Sequence, residues 1–398
     1  MDKIRSITVV GGGSAGWITS SFLAAQKKWA VTLIESDNIP IIGVGESTIP
    51  GINDFMQAVG LSEQDLFDQC GAVRKYGIQH NDWREPGNTW MHMFCQDESQ
   101  LDEQFNWMHS YTCPTKSHRW AYHLDANRLA TVLKDKCGKS LGIKHVIDDI
   151  LDVAVDAHGV TELTGILGKY TADLYVDCTG FRSLIRSRLG SNYHYHDSLI
   201  NNCALAGPGE YVNGQEPLPY TQTFRMDYGW RWRISLQHRT GNGYVFNQNI
   251  LSIEQAREEF IAKTPGLIAD KIFQVPFENK YNPEPFKKNV VAIGLSCGFL
   301  EPLESTGLFL VHGMLNPLVK LVNDQRAPDK YNKIWNMIYK DISDFLSLFY
   351  RTSKASHTDY WNTFNKVEKI AQPTYPQFLF SKYNYRMLSK GTGVPILA

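Results

Sequence analysis

Gly11, Gly13 and Gly16 stand at the spacing G-x-G-x-x-G within Gly11-Gly12-Gly13-Ser14-Ala15-Gly16. Ahead of them Ile7-Thr8-Val9-Val10 is a β-branched apolar run that reads as a buried strand. Behind them Trp17 to Lys27 carries a helical apolar pattern. A second strand pattern, Ala30 to Ile34, ends on Glu35. The chemistry such a pattern serves is anion binding. Glycine at 11 permits a tight turn, glycine at 13 lets the backbone approach a pyrophosphate, and glycine at 16 lets the helix pack closely on the strand. The pyrophosphate then meets unpaired N–H groups at the positive end of the helix, and Glu35 can accept hydrogen bonds from a ribose. An accidental glycine turn accounts for the loop alone, not for strand, helix and acid together. A dinucleotide site is therefore expected, with Gly11, Gly13, Ser14, Ala15, Gly16 and Glu35 as contacts; FAD and NAD are not distinguished.

The elements that must hold this site and the rest of the chain follow in order. Asn38 to Pro50 is a shaped loop containing Gly43-Val44-Gly45-Glu46-Ser47-Thr48-Ile49-Pro50. Residues 51–70 look helical, and Val73 to Ile78 reads as one strand holding Lys75. The stretch 81–120 is crowded with Trp83, Trp90, Phe94, Phe105, Trp107 and Trp120 without clear periodicity. Residues 124–137 form an amphipathic helix opened by Asp125. Ala172 to Arg182 is a strand ending in a polar turn, and residues 200–250 read as antiparallel sheet with aromatic alternation. Asn289 to Gly294 is a further strand, a helix is expected from Leu308, and residues 325–365 are helical and rich in aromatics.

A chain of 398 residues can bury a sizeable core in two or more modules. Its 43% hydrophobic and 20% charged content is that of an ordinary globular protein. A formal net charge of −1 gives no electrostatic case for nucleic acid or an anionic membrane. The seven cysteines are scattered, odd in number and contain no C-x-x-C pair, which predicts reduced thiols in a cytoplasm. A first strand so near Met1 predicts no signal peptide, and no apolar run is long enough to span a bilayer. His194-x-His196 lacks a third ligand nearby, so no metal is expected.

Taken together, the motifs resemble the flavin-dependent halogenases of the tryptophan halogenase type, within the wider FAD monooxygenase fold. The resemblance runs through GGGSAGW, GVGESTIP (Gly43 to Pro50), VRKYGIQ around Lys75 and DCTGFRS (Asp177 to Ser183). It continues through GWRWRISL (Gly229 to Leu236), GNGYVF (Gly241 to Phe246), GFLEPLESTGL (Gly298 to Leu308) and DFLSLFYRTSKASHTDYW (Asp344 to Trp361). It implies that FAD, reduced to FADH2 by a separate flavin reductase, meets oxygen to give a hydroperoxide that a halide ion attacks. The hypohalous acid formed then travels through a tunnel to a lysine beside a small aromatic substrate. Lys75 matches that lysine and Glu304 the glutamate opposite it. Thr306 and Gly307 match the halide-holding residues. Trp230 and Trp232 match the W-x-W-x-I signature thought to keep substrate off the flavin. Gly45, Glu46, Ser47, Asp177, Gly180 and Leu308 join the cofactor contacts.

The residue types suit those roles. Hypohalous acid is a weak electrophile towards an arene unless its departing hydroxide is stabilised. A lysine can donate a hydrogen bond to it or, if deprotonated by burial, form a haloamine. A carboxylate nearby can orient the electrophile and take the proton leaving the ring. Bland readings stand beside these: Glu304 as a helix cap, Trp230 and Trp232 as core on one strand face, Asp177 and Gly180 as a turn closure. Three positions depart from the family pattern: Ser235 follows Ile234 where proline is usual, Arg74 precedes Lys75 where tryptophan-acting members carry a hydrophobic residue, and Phe349 stands where histidine is frequent. These departures, in a short chain, put free tryptophan in doubt and favour a more open pocket for indoles or phenols.

The expected fold is α/β: a three-layer FAD-binding module of the flavin monooxygenase type (1–50, 120–190 and 285–320), an inserted mixed-sheet substrate module (51–119 and 191–284), and a helical cap over the substrate pocket (321–398). The expected function is FADH2- and O2-dependent halogenation of an electron-rich aromatic through hypohalous acid at Lys75. An aromatic hydroxylase on the same fold and a catalytically silent flavin-binding protein are the alternatives. Halide preference, regiochemistry and homo-oligomerisation are not legible.

Overall fold

The computed structural model describes residues 4–39, 46–94, 119–212, 214–374 and 379–397. One six-stranded sheet runs in the order Phe286–Lys287, Val290–Ala292, Leu174–Asp177, Ser6–Val10, Ala30–Glu35, Lys144–Ile147. Every pair in it is parallel except the outermost, Phe286–Lys287 on Val290–Ala292. The central strand holds Ile7, Val9 and Val10 in two separate apolar clusters, one on each face of the sheet. That burial on both sides explains its unbroken β-branched run. Ser14–Ala25 is the crossover helix to Ala30–Glu35. Because the strands are parallel, their C-terminal ends bring together the glycine loop, Glu35, the turn after Asp177 and the segment after Ala292. This is the edge where open α/β sheets take ligands.

A second sheet has seven strands: Phe273–Pro276, Cys203–Gly209, Thr240–Phe246, Gly229–Ser235, Thr221–Met226, Gly77–Asn81 and Thr89–Met93. The antiparallel core expected at 200–250 is present. It is extended, however, by a hairpin from the aromatic stretch, with Thr221–Met226 and Gly77–Asn81 paired in parallel. The single strand expected over Val73 to Ile78 is in fact two. Val73–Lys75 pairs with Ala121–Leu124, which also pairs with Glu46–Ser47, making a separate three-stranded sheet; the chain then steps across at Tyr76 into the large sheet.

Helices close the remaining faces. Residues 51–70 are two helices, Ile52–Val59 and Glu63–Cys70, broken at Gly60. Asp125 caps Ala126–Val132 as expected, accepting from Asn127 and Arg128 N–H. The helix expected from Leu308 is only Phe309–His312, followed after Gly313 by Leu315–Leu321. Ala327–Thr352 buries Trp335, Ile338, Tyr339, Ile342, Phe345, Leu346 and Phe349, the three-and-four spacing of a helix laid on a core. A terminal helix, Lys382–Thr392, sets Tyr383 and Met387 against Met91 and Met93 of the hairpin. Among the described residues no helix is long and apolar enough to cross a membrane. Cys70, Cys137, Cys178, Cys203 and Cys297 are free and buried.

Asp177 shows what local closure contributes. Its buried carboxylate accepts from Thr179 N–H (3.0 Å) and Oγ1 (2.7 Å), and from Ile185 and Arg186 N–H (2.8 Å each). Removing an acceptor from buried donors costs their full desolvation. Asp177→Ala is accordingly expected to lower stability by about 3 kcal/mol, read as a fall in the urea midpoint at unchanged m-value; an unmoved midpoint would show that the loop holds itself.

Candidate functional site

In the loop after the first strand the glycines divide their work as their positions require. Gly11 has φ +117°, and a Cβ there would lie 2.2 Å from the Cys178 carbonyl oxygen; at Gly16 it would lie 1.7 Å from the Gly11 carbonyl oxygen. Beyond Gly13 there is nothing within 4 Å, so the backbone faces open space where a pyrophosphate would approach. Ser14 Oγ is turned to the Ala126 carbonyl (3.2 Å), and Ala15 opens the helix with it. Glu35 is held by Lys134 (2.8 Å), His145 Nε2 (2.7 Å) and Trp17 Nε1 (3.2 Å). Burial works to raise its carboxyl, but these partners outweigh it and the group sits below its ordinary value. The donor set fits a flavin or nicotinamide dinucleotide alike.

Two of the residues expected as cofactor contacts bond their side chains within the protein. The Asp177 carboxylate is fully buried and spent on its own loop, so the turn-closing reading is the one its side chain supports. Ser47 Oγ faces inward, accepting from Ser305 Oγ (3.0 Å) and bonded to Thr221 Oγ1 (2.8 Å). Gly180 has φ +70° with open space around it. Glu46 pairs through its backbone with Leu124, and Gly45 lies outside the described residues. Leu308 is buried just ahead of the short helix Phe309–His312. The helix expected from Leu308 is the single turn Phe309–His312, with Thr306 three residues ahead of it. Thr306 is buried with no partner for Oγ1 among the described residues, and Gly307 opens to space.

Lys75 is completely buried, unlike an average strand lysine. In the three-stranded sheet it pairs with Ala121 while Arg74 pairs with Tyr122, so the two neighbours point to opposite faces. Arg74 is thus directed outward to Glu63 (Nε to Oε1 2.7 Å) and does not line the surroundings of Lys75. Lys75 Nζ donates to the Thr48 carbonyl (3.0 Å) and to Ser305 Oγ (2.8 Å), and lies 4.9 Å from the centre of the Phe94 ring. Burial drives its pKa from 10.5 down to about 7, with Glu304 opposing the shift. Ser305 adopts the left-handed conformation, φ +61°.

Glu304 sits between two histidines that sequence reasoning did not single out. Oε2 accepts from His92 Nδ1 at 2.7 Å, and Oε1 faces His80 Nε2 at 3.2 Å. Each ring is fixed from behind: Asn384 Nδ2 donates to His92 Nε2 (2.8 Å), and Thr223 Oγ1 bonds His80 Nδ1 (2.8 Å). Burial works to raise the Glu304 carboxyl, but the imidazoles prevail and hold it as a carboxylate, well below its usual range. Glu304 caps no helix. Donor atoms of His80, His92 and Glu304 lie within 4.8 Å of one another, close enough for an ion, whereas His194-x-His196 is engaged with Tyr281. Phe349 packs on His80 (4.7 Å) and Trp90 (5.9 Å), so the departure at this position borders the clamp on Glu304. The signal available in the sequence was the spacing of His80 and His92 across a Glu85-Pro86-Gly87-Asn88 turn.

Trp230 and Trp232 lie buried with ring centres 5.9 Å apart. Trp230 Nε1 donates to Glu301 Oε2 (3.4 Å), a carboxyl also bonded by Asn201 (2.7 Å) and Tyr350 (2.6 Å) and raised by its burial. Trp230 is therefore tied to an interior polar knot as well as to the sheet, whereas Trp232 Nε1 has no partner among the described residues.

A family model described as tryptophan halogenase matches residues 6–113 and 98–384. A 7-chloro-L-tryptophan 6-halogenase from Kutzneria is 32% identical, covering 89% of this chain and 81% of its own length. A tryptophan 7-halogenase from Lentzea aerocolonigenes is 29% identical over 93% of this chain and 80% of its own. Among solved structures, a flavin-dependent halogenase from Xanthomonas campestris superposes with a TM-score of 0.90 at 26% identity, covering 99% of this chain and 90% of that one. Another, from Brevundimonas, gives 0.89 at 28%, covering 100% and 91%. With the family match running from the glycine loop into the last helix, the chain belongs to the tryptophan halogenases, which are flavin-dependent enzymes.

Proposed function

We propose that the protein halogenates an electron-rich indole or phenol, with Lys75 delivering the activated halogen and Glu304 receiving the ring proton. The carrying observation is a lysine buried completely, brought to a pKa of about 7, and bonded to the residue next to a clamped carboxylate. Reduced FAD with oxygen supplies the oxidising equivalent that turns halide into hypohalous acid. At the lysine, two N–H groups are committed to Thr48 and Ser305. The remaining direction on nitrogen presents a hydrogen to hypohalous acid in the ammonium form, or a lone pair in the amine form. Glu304, kept ionised by His80 and His92, is equipped to accept the proton lost from the halogenated ring.

The cofactor is assigned to the C-terminal edge of the parallel sheet, within segments 1–50, 120–190 and 285–320. Support comes from the open space at Gly13 and the cluster around Glu35. The substrate module then comprises 51–119 and 191–284, capped by 321–398. Halide is assigned to Thr306 and Gly307, supported by the unpartnered hydroxyl and the open glycine. Trp230 and Trp232 separate flavin from substrate, a role their rigid burial suits. A separate reductase supplies the reduced flavin, and buried free thiols suit a cytoplasmic setting.

Supplied with FADH2, oxygen, bromide and a panel of indoles and phenols, the enzyme should yield brominated products by mass. Lys75→Ala should abolish them while flavin oxidation continues, and Glu304→Gln should slow bromination by about 100-fold. Hydroxylated products without halogen, or an unchanged yield from Lys75→Ala, would refute the assignment.

The depressed lysine also predicts a stability signature. Between pH 7 and 10.5 the unfolded chain binds a proton at Lys75 that the folded chain does not. Stability contributed at this position therefore rises with pH through that window. Relative to Lys75→Met, wild-type unfolding free energy should climb by up to about 5 kcal/mol. A pH-independent difference between the two proteins would show that Lys75 titrates normally.

A further inference from the structure

Behind Lys75 lie four buried side chains that the proposed chemistry leaves unused, and they stand in single file. Lys75 Nζ donates to Ser305 Oγ (2.8 Å), and Ser305 Oγ donates to Ser47 Oγ (3.0 Å). Ser47 Oγ is 2.8 Å from Thr221 Oγ1, which is 2.9 Å from His123 Nε2. His123 Nδ1 is 3.1 Å from the carbonyl oxygen of Ser235. Topology makes the file: Ser47 pairs with His123 and Lys75 with Ala121 in the three-stranded sheet, so all three side chains rise from one face of it.

The direction of every bond follows from the far end. A carbonyl oxygen only accepts, so His123 Nδ1 carries the hydrogen. Burial and the nearby Lys75 charge push the His123 pKa well below its ordinary value, so the ring is neutral and Nε2 is a lone pair. Thr221 must then donate to His123, which leaves its oxygen to accept from Ser47. Ser47 in turn accepts from Ser305. Each hydroxyl has one hydrogen, and each is already spent towards His123. Ser305 can only accept from Lys75.

The geometry points to a polarised hydrogen-bond chain, Ser305–Ser47–Thr221–His123 anchored on the Ser235 carbonyl, that holds Lys75 as a donor and thereby tunes its protonation. Its four members are positioning residues. The inference rests on the reading of Lys75 as the halogen-delivering group for its functional meaning, though not for its physical content. With two N–H groups fixed, the third position on nitrogen keeps one direction whether it bears a hydrogen or a lone pair. Other groups acting on Lys75 are Glu304, which favours its charge, His80 and His123, whose charged forms it opposes, and the face of Phe94. Cutting the chain at Ser47 alters none of these, whereas Thr221→Val also removes the hydrogen-bond partner of His123 Nε2.

A cut has a predictable sign. In Thr221→Val, Ser47 loses its acceptor, so its hydrogen can turn to Ser305 and that of Ser305 to Lys75. A hydroxyl that donates to nitrogen favours the amine over the ammonium, and the lysine pKa falls. The test is a pH titration of the Lys75 Cε resonance in protein carrying 13Cε-lysine, assigned by its loss in Lys75→Met, alongside the pH profile of bromination. Thr221→Val and Ser47→Ala should each lower the Lys75 titration by about half a unit, a roughly threefold change in its equilibrium, with the bromination profile moving likewise. Thr221→Ser should return both to wild type. Ser47→Ala carries the result should Thr221→Val not fold. An unmoved or raised titration in the cut variants overturns the chain. If the resonance moves as expected but wild-type enzyme brominates nothing, the chain stands and the delivery role of Lys75 falls.

Discussion

Everything in this molecule turns on a cation placed where water cannot reach it. An ammonium withdrawn from solvent is unfavourable by several kcal/mol unless its surroundings replace hydration. Around Lys75 they do so only in part. One backbone carbonyl, one hydroxyl and an aromatic face supply contacts, while Glu304 acts from beside them. The incomplete compensation is what brings the amine to the edge of neutrality, where small changes in its partners decide whether it is a donor or a nucleophile.

Such a group sits where the three-stranded sheet, the seven-stranded sheet and the loop carrying Ser305 come together. The step at Tyr76, where the chain leaves the three-stranded sheet for the seven-stranded one, puts Lys75 on one and His80 on the other within a few residues. Glu304 and Ser305 arrive from far along the chain, on the loop that follows the short strand Gly298–Phe299. The carboxylate is then gripped by imidazoles whose far nitrogens are themselves tied down, by Asn384 of the terminal helix and by Thr223 of the large sheet. Fixing a buried lysine and a buried carboxylate from several independent elements is how a fold achieves orientation without relying on any one loop.

How much of this the amino-acid string discloses depends on the reach of each constraint. The glycine loop is legible because turn, close approach and helix packing are satisfied within six residues. Asp125 as a cap is legible for the same reason. Lys75 and Glu304 emerge only through resemblance, since nothing local marks a strand lysine as buried or predicts that the carboxylate is clamped rather than capping. Arg74 misleads at sequence level because alternation along a strand, which sends it to the other face, matters more than adjacency. The helix expected from Leu308 fails because Gly313 interrupts an apolar pattern that otherwise continues. His123, Thr221 and Ser47 are invisible in the string, being separated by 98 and 174 positions and joined only by sheet register.

The free cysteines carry a corollary. Burial raises Cys70 to about 12, raises Cys137 and Cys203, and lifts Cys178 and Cys297 further. Sulfur reacts as thiolate, and these five hold their protons throughout the neutral range. An oxidant reaching these positions would meet shielded, protonated thiols, so the same packing that builds the core also protects it from oxidation.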